Sequence, residues 1–89
     1  MNSPEAAFQQ AAALHQAGRL QEAEQLYRSI LQAQPDHPEA NHNLGMVAIQ
    51  SKQPAAGLPL LEAAIKSSPN QGRFRLSYVY GLLQAETGK

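Results

Sequence analysis

Apolar residues recur along this chain at steps of three and four, in five stretches set apart by glycine and proline, and that spacing predicts five helices. Ser3 can cap the first, with Pro4 at its opening position, Glu5 in the first turn, and Ala7, Phe8, Ala11 and Leu14 along one face as far as about residue 17. Gly18 offers the positive φ that a tight helix-to-helix turn needs. Leu20, Ala23, Leu26, Tyr27, Ile30 and Leu31 then trace a second helix to about Gln34. Pro35 stops it, Asp36 or His37 caps a third helix over about 38 to 51, and Pro38 with Glu39 repeats the entry chemistry of the first. A fourth helix is expected over roughly 54 to 67, with a late start or a bend because Gly57 and Pro59 fall inside it; a proline beyond the first turn costs about 3 kcal/mol. Pro69 ends it, Asn70 is a candidate cap, and Phe74, Leu76, Tyr78, Val79, Tyr80, Leu82 and Leu83 make a fifth helix reaching about Ala85.

The punctuation is periodic. Pro4-Glu5-Ala6 returns as Pro38-Glu39-Ala40, and Pro35 returns as Pro69, both after 34 residues. A fixed period in the range of about 20 to 50 residues is the mark of stacked supersecondary units that touch only their neighbours and share one long surface. The units read as 4–37, 38–71 and a half unit over 72–89, within one domain of 89 residues.

The fifth helix departs from the pattern, since its apolar residues surround most of its circumference. Such a helix expects cover on two sides, and the fourth helix supplies only one. A further helix, a partner chain or a ligand is needed for the other, and terminal units of an array ordinarily show a polar outer face.

Composition narrows the function more than the fold. Cysteine is absent, so no disulfide or thiolate metal site supports the core. Seven bases balance seven acids for a net charge of +0, which argues against nucleic acid. The balance is uneven: residues 1–40 carry net −3 and residues 41–89 carry net +3, which fits a solvated surface, or else head-to-tail self-association or an acidic ligand near the C-terminal end. No apolar run is long enough to span a bilayer and the first residues lack the order of a secretory signal, so the expectation is a soluble, cytoplasmic protein without membrane contact.

Helix pairs of period 34 with Gly at the turn, Ala-x-x-x-aromatic in the second helix and a closing Pro resemble the tetratricopeptide repeat family. The matching residues of the first unit are Gly18, Ala23, Tyr27 and Pro35, with Ala7, Gln10, Ala11 and Leu14 at the positions where that family has Trp, Leu, Gly and Tyr. In the second unit Leu44 and Gly45 form the Leu-Gly pair, Ala48 and Leu61 take the Tyr and Phe positions, and Pro69 closes, while Lys52 stands where Gly is usual and Gly57 where Ala is usual. The third places Arg75, Tyr78, Val79 and Leu82 at the first-helix positions, and its turn glycine, Gly88, comes two residues late. The resemblance implies an all-α, right-handed superhelical array of antiparallel helix hairpins, a TPR-like α-solenoid, whose first helices line a concave groove for a protein or peptide ligand. Phe8, Ala12 and His15 of the first unit, His42, Asn43, Met46 and Ile49 of the second, and Arg73 and Tyr80 of the third map onto that groove. Asn43 is the strongest single candidate, because its amide offers both donor and acceptor to a peptide backbone; the alternative is an amide bonded within the protein. Some family members grip acidic carboxyl tails with Lys, Asn and Arg, but Phe8, Ala12 and Ser77 replace three members of that cluster here.

Chemistry beyond binding finds little support. His15 and His42 can approach across neighbouring first helices, but no cysteine or His-x-x-x-His spacing joins them into a metal site. A phosphate-cradling glycine loop is missing, and so is a nucleophile with a placed base. The expectation is a binding module with no catalysis and no cofactor. Two rivals stand beside it: the leading segment of a longer bacterial enzyme of glycosyltransferase or sulfotransferase type, and a homodimer formed through Leu76, Tyr80 and Leu83 of the fifth helix.

Overall fold

A computed structural model describes residues 3–87, which places Gly88 outside the described residues. Among those described are five α-helices and no strand: α1 (Pro4–Gln16), α2 (Leu20–Ala33), α3 (Pro38–Gln50), α4 (Pro54–Ser67) and α5 (Gly72–Thr87). The first helices open at 4, 38 and 72 and the second helices at 20 and 54, so the 34-residue offset of the sequence is also the offset of the helix limits. Each helix packs on the next, and α3 additionally touches α1 and α5, as expected for hairpins laid side by side.

The entries and turns repeat because their chemistry repeats. Ser3 Oγ accepts from the Ala6 N–H at 3.1 Å, and His37 Nδ1 accepts from the Ala40 N–H at 3.0 Å, so each satisfies one otherwise unpaired amide at a helix start. Of the two residues expected to cap α3, His37 is the one that does so. Asn70 does not cap α5; it lies in the turn, and Gln71 immediately precedes the helix. The two hairpin turns are closed by equivalent bonds, Gly18 N–H to His15 C=O with Arg19 N–H to Leu14 C=O, then Lys52 N–H to Ile49 C=O with Gln53 N–H to Ala48 C=O. Gly18 takes φ +81° at no steric expense, and Lys52 takes φ 64° in the same place, where a side chain costs about 1–2 kcal/mol.

The expected late start of α4 is not seen. The helix opens at Pro54 and continues through Pro59, its sixth residue. Pro59 cannot donate to the Ala55 carbonyl, but Ala55 is exposed and water can serve that group. Gly57 answers a different need. A Cβ built there would lie 2.6 Å from the Gly45 carbonyl oxygen, and one built on Gly45 would lie 2.9 Å from Leu61 Cγ, so α3 and α4 approach too closely for any side chain at either point.

The main core lies between the first two hairpins: Ala11, Ala23, Tyr27, Ile30, Ala40, Leu44 and Val47 are buried together, with Phe8, Leu14 and Leu60 packed around them. Leu61, Ala64 and Phe74 continue it towards α5. Asn41 is the single buried polar residue among those described, and its Nδ2 donates to the carbonyls of Pro35 and His37, which ties the inter-unit loop to α3.

Candidate groove on the first helices

Two shallow clefts run along the side of the molecule formed by α1, α3 and α5, and they share Gln50. The one between α1 and α3 is lined by Ala12, His15, Gln16, Asn43 and Gln50. The other, between α3 and α5, is lined by Met46, Gln50, Leu76, Ser77 and Tyr80 and is mostly apolar. One half of the groove therefore offers amides and an imidazole, and the other offers thioether, aliphatic and aromatic surface.

A single chain of hydrogen bonds runs beneath both clefts. Ser77 Oγ lies 2.7 Å from His42 Nε2, His42 Nδ1 2.9 Å from Asn43 Oδ1, Asn43 Nδ2 3.1 Å from Tyr27 Oη, Tyr27 Oη 3.4 Å from His15 Nδ1, and His15 Nε2 2.6 Å from Gln50 Oε1. One assignment of hydrogens satisfies every link. Ser77 donates to His42, whose Nδ1–H donates to Asn43; the Asn43 amide donates to Tyr27; the phenol donates to His15, and His15 Nε2–H donates to Gln50. His42 is neutral in this arrangement. Burial agrees, since it lowers the His42 pKa below the usual imidazole value, with the Arg73 charge acting in the same direction and the Asn43 bond opposing. Burial likewise raises the Tyr27 phenol above its ordinary value, with the Asn43 bond working against it.

The aromatic residues hold this chain in place. The His42 ring stacks on buried Phe74 with centroids 4.8 Å apart, and the Arg73 guanidinium sits 4.9 Å from the centre of the same ring. Phe8 stacks on His37 at 5.6 Å and tilts against Tyr27 at 5.9 Å.

The sequence-derived candidates divide accordingly. Ala12, His15 and Asn43 line the polar cleft, while Met46, Leu76 and Tyr80 line the apolar one. Phe8 and His42 are half-buried, turned into aromatic contacts. Ile49 must be removed from the groove: only 7 % of it is exposed, because its Cδ1 fills the space left by the missing side chain of Gly81 on α5. Arg73 is ion-paired with Glu39 across adjacent units and offers a ligand no isolated charge. His15 and His42 do not bond one another; Tyr27 and Asn43 stand between them in the chain of bonds. Among the described residues no cluster of three or more His, Cys, Asp or Glu gathers. Gln50 and Ser77, which the family pattern also maps onto the groove, belong to this arrangement, and the Tyr27 hydroxyl is the part that sequence reasoning assigned to packing alone. The available signal was spacing: His15 to Gln50 and His42 to Ser77 are both 35 residues apart, one period plus one, which sets them opposite each other on neighbouring first helices.

A tetratricopeptide repeat family model matches residues 14–76, most of the chain. The chain belongs to the tetratricopeptide repeat family. Two solved structures share its fold at a TM-score of 0.85 and 28% sequence identity: the "MamA RS-1 ArsTM double mutant" and "MamA 41-end from Desulfovibrio magneticus RS-1". Each covers 94% of this chain, which spans 47% of the first and 48% of the second, or about half of their length. No curated protein matches. The five helices thus form a right-handed superhelical array of tetratricopeptide hairpins, a fold that supports protein interaction in general. No described helix is long and apolar enough to cross a membrane.

Proposed function

We propose that the groove along α1, α3 and α5 binds an extended or helical peptide segment of a partner protein, without catalysis of its own. The observation that carries this reading is the bond chain under the clefts. It uses one N–H and one lone pair of Asn43, leaves the second of each free, and fixes which way the amide points. A polar group held in one orientation loses little entropy on meeting a peptide backbone, which is the usual source of affinity in a shallow groove. Met46, Leu76 and Tyr80, next to it, suit one or two apolar side chains of the same segment.

Peptides selected from a random displayed library on the immobilised chain test this. Asn43→Ala is expected to weaken the selected peptides by about 1 kcal/mol, the size of one net hydrogen bond, and Met46→Glu to weaken them further. Peptides that bind both variants as well as the parent chain would place the site elsewhere.

A further inference from the structure

On the side turned away from α4, α5 presents Leu76 (73 % exposed), Val79 (52 %), Tyr80 (47 %) and Leu83 (54 %), while Phe74 and Gly81 face inward. The position of Val79 is held by Ala11 in α1 and Gly45 in α3, both buried against the second helix of their hairpins. Gly45 has no room there for even one added carbon. α5 carries a valine at this position, larger than the alanine and glycine of the first two units, and it is exposed.

The exposed face is matched about its middle, leucine to leucine and base to acid. Counted from the point between Val79 and Tyr80, Leu76 lies as far back as Leu83 lies forward, and Arg73 as far back as Glu86. The charges at its ends are also reversed from what a lone helix prefers: Arg73 and Arg75 stand near the start, where no acid is present, and Glu86 stands in the last turn, which has no base. Against an antiparallel copy, both become favourable. Glu86 then meets the positive N-terminal end and the bases of the other helix, and leucine meets leucine on either side of a valine–tyrosine centre.

We propose that α5 is a self-recognition helix, and that two copies of this chain pair through it, antiparallel, about a two-fold axis passing between Val79 and Tyr80. Arg73 keeps its bond to Glu39 through one nitrogen and has further N–H groups for Glu86 of the partner subunit. Leu76 and Tyr80 also line the apolar cleft, so pairing and peptide binding compete there, whereas Val79 and Leu83 line neither cleft and substitutions there remove the pairing while leaving both clefts intact.

Light scattering on the 89-residue chain is expected to give twice its mass of 9.6 kDa. Val79→Glu and Leu83→Glu, both at exposed sites, should each raise the dimer dissociation constant by about thirtyfold or more, the size of an interface hot spot, with unchanged helical circular dichroism. The chain has no cysteine, so single thiols report the register. With a short bis-maleimide, Val79→Cys should cross-link to itself, Glu86→Cys alone should not, and an equal mixture of Arg73→Cys and Glu86→Cys should. A single-chain mass up to millimolar concentration, a dimer that survives both glutamate substitutions, or self-linking at Glu86→Cys would each overturn the proposal.

Discussion

Helices α3 and α5 occupy equivalent places in successive units, and their fates differ. α3 touches all four other helices and buries Ala40, Asn41, Leu44, Gly45, Val47 and Ile49; α5 is longer, touches α3 and α4, and buries only Phe74 and Gly81. One motif position shows why. Along the array it reads Ala11, Gly45, Val79: the first two are buried, Gly45 with α4 pressed against it, and Val79 is exposed. In a repeat protein, then, motif position alone does not fix burial; the neighbour on each side decides it.

That contrast is most easily broken at the tightest point. Gly57→Ala brings a carbon to 2.6 Å from the Gly45 carbonyl, and neither backbone can give way cheaply. It should lower stability by about 2–3 kcal/mol in urea melts, despite alanine's better helix propensity. Val79→Ala, in a Leu83→Glu background that keeps the chain monomeric, should stay within about 0.5 kcal/mol, the range of an ordinary surface change. Equal losses at the two sites would mean that α5 is as tightly packed as α3.

A second test sets the two tyrosine hydroxyls against each other. Tyr27→Phe removes the link between Asn43 and His15 and leaves both without that partner, so about 1–2 kcal/mol should be lost; Tyr80→Phe, on the open face, should lose almost nothing. The turns give a smaller effect of opposite sign. Lys52→Gly relieves a left-handed backbone and should stabilise the chain by about 0.5–1 kcal/mol, whereas Gly18→Ala, with open space around its Cβ, should cost about 1 kcal/mol through conformation alone.

The smallest effect is that of pH. The His42 pKa is lowered in the folded chain, so below the ordinary imidazole value of 6.5 the unfolded chain takes up a proton that the folded one resists. Stability should fall as the pH drops from 6.5 towards the folded value, then level off. His42→Gln should make the urea midpoint less sensitive over that window; an unchanged slope would remove His42 from the titration.

Much of this structure could be read from the residues, and the reasons are local. Ser3, Pro4, Gly18, Pro35 and Pro38 act within one turn of where they stand, so helix limits and period were legible. The uncovered face of α5 was legible too, because its apolar residues outnumber what a single stripe can hold. The bond chain was not, since four of its five links join residues 12 to 35 positions apart, and two of them run through a tyrosine whose ring suggested packing and nothing more. Ile49 looked like a groove residue because its period partner His15 is one. It is buried because Gly81 on the next unit leaves room for it, a feature of the third unit that the second does not encode. Pro59 does not delay the start of α4, for a related reason: the lost bond falls on the exposed Ala55 carbonyl, and exposure is set by packing.

On the proposed reading, the leading helices of these hairpins form one binding trough over a fixed polar floor. Amide chemical-shift mapping with a library-selected peptide tests it most directly. Perturbed residues are expected to gather on α1, α3 and α5 around Ala12, Asn43, Gln50 and Ser77; shifts confined to α2 and α4 would mean that the peptide binds elsewhere.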